Sequence, residues 1–248
     1  MTTQPGLEHD EKVSRYKFIG KGCQLFLLHF AGGSCFSFEF LKKYIYNDIS
    51  FHALEIPGRG RRLHEKLIKD KPLVIADYVN QIKAKRNGKP YVIYGHSMGA
   101  TLGLNVTRQM ELSGDAPVHL VVSGNPGPGV KKKLPKPRYL LDDIDFKDEL
   151  RRLGGVPEEV LKDEELFSFF SPIMRADFEL LEKDETVPEF KINTPILALM
   201  GSEETYSSEI SNWLNFTTQP LKEDILSGKH FFIQDHPEKM ARYIMNCF

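Results

Sequence analysis

Tyr91-Val92-Ile93-Tyr94-Gly95-His96-Ser97-Met98-Gly99-Ala100 is the stretch from which the rest of the chain can be read. Four apolar residues run into Gly-x-Ser-x-Gly, and Ala100, Leu102, Leu104, Val106 and Met110 follow at spacings that a packed helix uses. The pattern is a buried strand, a sharp turn and the start of a helix. A serine at the tip of such a turn needs little bulk on either side. Gly95 and Gly99 leave that room, so the Ser97 hydroxyl can stand exposed above a sheet. A glycine-rich turn with a passive serine would read the same way locally, so the flanking sequence has to decide.

Working outward, Gln24 to Phe30 is a nearly continuous apolar run, as expected of a strand covered on both faces. It ends in Ala31-Gly32-Gly33-Ser34, and a helix is expected over Phe36 to Tyr46. Phe51 to Ile56 reads as the next strand, closing in Pro57-Gly58-Arg59-Gly60-Arg61-Arg62. Leu73 to Lys85 has helical spacing and ends at Asn87-Gly88-Lys89-Pro90. After the Ser97 unit come strands at His119 to Ser123, Thr194 to Gly201 and Leu221 to Leu226. A helix is expected at Glu209 to Leu214, and a last one over Asp235 to Asn246 with Asp235 as its N-cap. Alternating strands and helices imply an α/β fold with a mostly parallel central sheet flanked by helices.

The alternation stops between about residues 128 and 193. A basic, proline-interrupted connection, Lys131 to Arg138, leads into helices with no strand between them. Asp163 to Phe170 and Pro172 to Lys183 are read as two helices, with Pro172 at the N1 position of the second. Leu166, Phe167, Phe169, Phe170, Ile173, Met174, Phe178 and Leu181 make this segment apolar on more than one face, which suits an inserted helical lid over a pocket. Residues 1–14 read as a polar, flexible tail ahead of a single domain over 15–248.

Composition narrows the functional classes. The chain has 248 residues, 41% hydrophobic and 27% charged, with a formal net charge of −1. Balanced charge leaves no footprint for nucleic acid. Three cysteines, Cys23, Cys35 and Cys247, have no metal-like spacing and suit a reducing compartment. The N-terminus is polar and acid-bearing rather than leader-like, and no apolar run approaches membrane-spanning length. The expectation is a cytoplasmic, monomeric protein that needs no metal or cofactor and does not bind membranes.

An activated serine needs a base, a group that orients the base, and donors for the oxyanion. On a sheet of this kind the chain order is serine, acid, histidine. That order leaves His230 and His236. His230 follows the loop Ser227-Gly228-Lys229, from which a side chain can project over strand ends, whereas His236 sits at a helix start; His230 is taken as the base. The acid is expected in Gly201-Ser202-Glu203-Glu204-Thr205-Tyr206, which holds no aspartate; Glu204 is preferred, with Glu203 as the alternative. The expected oxyanion donors are the backbone N–H groups of Met98 and of Ala31, in the turn Phe30-Ala31-Gly32-Gly33. That turn has no Gly-x-Gly-x-x-Gly and no Gly-Lys-Ser/Thr, so a phosphate loop is not indicated.

With these residues in place the sequence resembles the type II thioesterases that accompany nonribosomal peptide and polyketide synthetases in antibiotic biosynthesis. The matching landmarks run in order along nearly the whole chain. They are Ala31-Gly32-Gly33-Ser34, Pro57-Gly58-Arg59-Gly60, Gly95-His96-Ser97-Met98-Gly99, Val122-Ser123-Gly124, Arg151-Arg152-Leu153-Gly154-Gly155, Pro172-Ile173-Met174-Arg175-Ala176-Asp177-Phe178 and Gly228-Lys229-His230-Phe231-Phe232. The resemblance implies an α/β-hydrolase fold with a helical lid, and hydrolysis of acyl thioesters on the phosphopantetheine arm of a carrier protein. It implies Ser97 as nucleophile, His230 as base and Ala31 with Met98 as oxyanion donors. The family's acid, usually aspartate, falls on Glu204, and His29-Phe30 replaces the family's usual Pro-His or Pro-Tyr. The competing functional class is a general medium-chain acyl thioesterase or carboxylesterase acting on free esters or acyl-coenzyme A with the same triad. Arg59, Arg61, Arg62 and the Lys131 to Arg138 run are read either as contacts for an acidic carrier protein and the arm's phosphate or as solvated surface charge.

Overall fold

Strands and helices alternate through the first half of the chain: β1 (Gln24–Leu28), a short α1 (Glu39–Lys42), β2 (Ser50–Ala53), α2 (Lys71–Lys85), β3 (Tyr91–His96), α3 (Met98–Leu112) and β4 (His119–Ser123). Three helices without an intervening strand follow, α4 (Asp143–Leu153), α5 (Glu158–Lys162) and α6 (Glu164–Glu182). Then come β5 (Ile196–Gly201), a 3-10 helix over Ser207–Phe216, β6 (Lys222–Leu226), α7 (Phe232–Asp235) and α8 (Pro237–Met245). The structure, a computed structural model, describes residues 21–130, 134–183 and 186–248. The expected tail over 1–14 and the lysines at 131–133 lie outside the described residues.

The six strands form one sheet in the order β2-β1-β3-β4-β5-β6, and every pairing is parallel. Side chains of a strand alternate between faces. Phe26, Leu28, Ile93, Val122 and Ala198 therefore pack on one side, against Val74, Tyr78 and Ile82 of α2, Leu102 and Val106 of α3, and Trp213. Leu25, Leu27, Val92, Tyr94, Val121 and Leu199 pack on the other, against Phe38, Phe232, Met240 and Ile244. Coverage on both faces is the reason the central strands read as unbroken apolar runs. Because all strands point the same way, the loops after β1, β3, β4, β5 and β6 gather at one edge of the sheet, the usual place for a site in an open α/β sheet.

The helical insert has a core of its own in Phe146, Leu150, Leu161, Phe167, Met174 and Phe178, with Ala31 of the sheet domain packed against it. Among the described residues, no helix is long and apolar enough to cross a membrane. Cys23, Cys35 and Cys247 are buried thiols without disulfides.

Several boundaries differ from expectation. Pro172 does not start a helix; it lies inside the 19-residue α6. The cap is Asp163, whose side chain accepts from the N–H groups of Glu165 and Leu166 at 2.9 Å. Proline removes one backbone hydrogen bond, but the face carrying Phe167, Ser171, Met174, Asp177 and Phe178 is buried on both sides of it, and that packing carries the helix through. The expected helix over Phe36 to Tyr46 shrinks to α1 within a run of turns, and the first two strands end before the residues expected, at Leu28 and Ala53. Asp235 closes α7, and His236 occupies the N-cap position of α8.

Candidate active site

Ser97 sits where β3 hands over to α3, with φ 56° and ψ −109°. It is the one non-glycine residue at positive φ among the described residues. Such backbone costs on the order of 1–3 kcal/mol and persists only when its surroundings enforce it. Here they do. A Cβ on Gly95 would lie 2.1 Å from the Gly99 carbonyl oxygen, and one on Gly99 would lie 2.1 Å from the Leu28 carbonyl oxygen. Strand, turn and helix can approach this closely only with glycine at both positions. The Ser97 N–H donates to the Ser123 carbonyl at 2.8 Å, and Asn125 Nδ2 donates to the Ser97 carbonyl at 3.1 Å, which ties the turn to the end of β4.

His230 comes from the loop after β6. Its Nε2 lies 3.0 Å from Ser97 Oγ, and its Nδ1 lies 2.7 Å from Glu204 Oε2. A carboxylate only accepts, so Nδ1 carries the proton and the Nε2 lone pair faces the serine hydroxyl. Glu204 stands in the turn after β5, and its second oxygen accepts the Gly201 N–H at 2.8 Å. The structure therefore brings together the three side chains singled out in the sequence. His236 turns away to Ser227, contacting its Oγ at 3.1 Å and its carbonyl at 2.8 Å. Glu203 is exposed and engages Gly228 through its backbone N–H.

The Val122-Ser123-Gly124 landmark acquires a physical reason here. His96 is buried beside His230, its Nδ1 2.8 Å from Ser123 Oγ and its ring 5.0 Å from that of His230. Gly124 has φ +62°, and a Cβ there would lie 2.4 Å from His96 Cε1 and 3.1 Å from His230 Cε1. Only glycine leaves the two imidazoles their places.

Ser97, His230, Ala31 and Met98 line one cavity of about 860 Å³. Leu150, Leu153, Phe170, Met174 and Phe178 of the insert line the same cavity. Met98 opens α3, so its N–H has no acceptor within the helix.

Residues 23–247 match the thioesterase domain family. The chain belongs to that family. It is 29% identical over 225 residues to the gramicidin S biosynthesis protein GrsT of Aneurinibacillus migulanus, covering 89% of this chain and 87% of that one. Among solved structures it is similar to the type II thioesterase BorB from the borrelidin biosynthetic cluster, with 30% identity and a TM-score of 0.82 over 91% of this chain and 92% of the other. It is also similar to ClbQ from the colibactin NRPS/PKS pathway, with 26% identity and a TM-score of 0.83 over 91% and 96% of the two chains. This thioesterase accordingly has the α/β-hydrolase fold that its sequence led us to expect.

The thioesterase holds polar residues near the site that sequence reading misplaced. Arg59, expected at the surface, is buried and paired with the equally buried Asp177 of α6. Arg62 is engaged by Glu65 and Asp77, and Arg138 by Glu149 and Glu182. His29, noted only as a departure from the family pattern, is fully buried. Desolvation first and the Arg59 charge second push its pKa down from 6.5 to about 4.

Proposed function

We propose that this thioesterase hydrolyses acyl and aminoacyl thioesters from the phosphopantetheine arm of carrier proteins, clearing stalled or mis-primed groups in nonribosomal peptide and polyketide synthesis. The observation that carries the reading is His230 held between Ser97 and Glu204 in a large cavity that apolar residues of the helical insert also line. In the first half-reaction Ser97 Oγ bonds to the thioester carbon while its proton passes to His230 Nε2. The carbonyl electrons move to oxygen, and the oxyanion is held by the N–H groups of Ala31 and Met98. Collapse breaks the C–S bond, and the proton on His230 goes to the departing pantetheine thiol. Water then attacks the acyl-enzyme, losing its proton to His230, and the second collapse returns that proton to Ser97 and frees the acid. Glu204 keeps the imidazole in the Nδ1–H tautomer and stabilises the imidazolium that forms twice in the cycle. The insert, acting as a lid, excludes bulk water and offers apolar surface to the acyl chain.

The test is a comparison of kcat/KM on one acyl group presented on a carrier protein, on coenzyme A and as a p-nitrophenyl ester. The carrier-bound form is expected to be turned over most efficiently. Equal efficiency on the free ester would overturn the proposal and point instead to a general esterase.

A further inference from the structure

The donor assigned to Ala31 depends on how two peptide units are held. In a trans peptide the C=O and the following N–H point in opposite directions, so fixing one aims the other. The Phe30 carbonyl, which shares a unit with the Ala31 N–H, accepts from the Gly33 N–H at 2.9 Å and faces His29 Nδ1 at 2.9 Å. A carbonyl only accepts, so the buried ring of His29 donates through Nδ1; its Nε2 has no partner among the described residues. The next unit is held from the opposite direction. The Gly32 N–H donates to Asp177 Oδ2 at 2.7 Å, across 145 residues of sequence. Asp177 has no exposed surface, and the Arg59 guanidinium grips both its oxygens, at 2.5 Å and 2.8 Å. Gly32 has φ +78°, and a Cβ there would lie 2.9 Å from Met174 Cγ, so α6 lies directly against this turn.

We propose that His29 and Asp177 are positioning residues of the oxyanion hole. The Nδ1–H of His29 and the carboxylate of Asp177 fix the peptide units on either side of the Ala31 Cα, and so aim the Ala31 N–H at the thioester oxygen. Arg59 keeps the Asp177 carboxylate in place. The insert is then part of the catalytic scaffold as well as a roof, because one of the two anchors rides on α6. The inference rests on the reading of Ala31 as an oxyanion donor. A bidentate arginine suits Asp177 because its planar fork fixes both oxygens of a carboxylate that also serves a backbone donor. The two glycines of the turn would otherwise leave the loop free to rotate.

Two pairs of full-length variants test the inference, each differing only in the group at issue. His29→Asn places an amide donor near the position of Nδ1, whereas His29→Leu removes the donor. In an Arg59→Met background, which removes the buried partner charge, Asp177→Asn keeps an acceptor for the Gly32 N–H and Asp177→Ala removes it. Each variant is measured for kcat and KM on an acyl thioester, and for affinity toward two probes. An alkyl trifluoromethyl ketone takes Ser97 Oγ at its carbonyl carbon and turns its oxygen into an oxyanion. A thioether analogue of the substrate has no carbonyl and reports binding alone. Loss of a whole oxyanion donor costs about 10²–10³ in kcat, so misdirecting one is expected to cost about 10–100-fold. The expected result is that His29→Leu and Arg59→Met/Asp177→Ala lose kcat and trifluoromethyl ketone affinity together, with thioether affinity unchanged, while the Asn variants recover most of both. Equal behaviour within each pair, or parallel loss of both probe affinities, would overturn the inference. If one pair does not fold, the other carries the same comparison. Failure of the underlying function looks different: the unmutated chain would then neither cleave acyl thioesters nor bind the ketone more tightly than the thioether.

Discussion

Glu204 divides its carboxylate between two donors, His230 Nδ1 at 2.7 Å from one oxygen and the Gly201 N–H at 2.8 Å from the other. The backbone bond fixes the carboxylate plane, and the plane fixes the imidazole. Glutamine at this position has a single carbonyl oxygen for two donors. With that oxygen on Gly201, its NH2 faces Nδ1 and drives the ring into the tautomer whose Nε2–H points at Ser97. Glu204→Gln is therefore expected to lower kcat by about 10²–10⁴, with KM little changed. Glu203→Gln, at an exposed side chain, is expected to leave kcat near the unmutated value. The reverse ranking in steady-state kinetics would reassign the acid.

Gly124→Ala tests the packing around His230. Alanine at φ +62° costs roughly 1–2 kcal/mol in backbone strain. The added methyl group also meets His96 and His230 at 2.4 and 3.1 Å, and the partly buried His230 ring yields more readily than the fully buried His96. Displacing a base by about 1 Å can cost up to about 10²-fold, so the expected result is a drop in kcat well beyond the fall in thermal midpoint. Unchanged kcat in a folded Gly124→Ala protein would show that His230 does not depend on this contact.

Parts of this architecture were legible because they rest on local or steric rules. Strands covered on both faces leave apolar runs at Gln24–Leu28, Tyr91–His96 and Ile196–Gly201, and close strand–helix approach admits only glycine beside Ser97. The choice between Glu203 and Glu204 was harder, since neighbouring loop residues differ only in which way the turn after β5 points them. The Arg59–Asp177 pair was illegible. Each residue alone is costly to bury, which makes each read as surface, and their 118-residue separation hides the partner that makes burial tolerable. Pro172 misled for the opposite reason: a correct local rule yielded to the apolar face of α6 that continues past it.

Replacing Ser97 by glycine should raise stability. Ser97 is held at φ 56° and ψ −109°, a region that glycine enters freely and other residues do not. Ser97→Gly is expected to abolish turnover and raise unfolding free energy by about 1 kcal/mol, after allowing for the greater unfolded-state entropy of glycine. Ser97→Ala, which keeps the strain, is expected to lose turnover without the gain. Denaturant titration of both variants checks this, and a Ser97→Gly protein no more stable than Ser97→Ala would remove strain from the account.

His29 should make the fold sensitive to mild acid. Burial of its ring lowers the pKa most and the Arg59 charge adds to this, while Asp177, the hydrogen bond to the Phe30 carbonyl and Glu55 act in the opposite direction. The folded-state pKa lies near 4, below the ordinary value of 6.5, so between these limits the unfolded chain binds the proton and the folded chain does not. Stability therefore falls as pH drops from about 6.5 toward 4 and levels off below, by about 3 kcal/mol in total from this residue. His29→Asn has no group titrating in that window and is expected to flatten this part of the profile. Urea midpoints at pH 7.5, 6, 5 and 4 on both proteins measure the difference. Parallel profiles would mean that His29 takes up its proton in the folded state, and with it that the Nδ1 donor to Phe30 does not depend on a neutral ring.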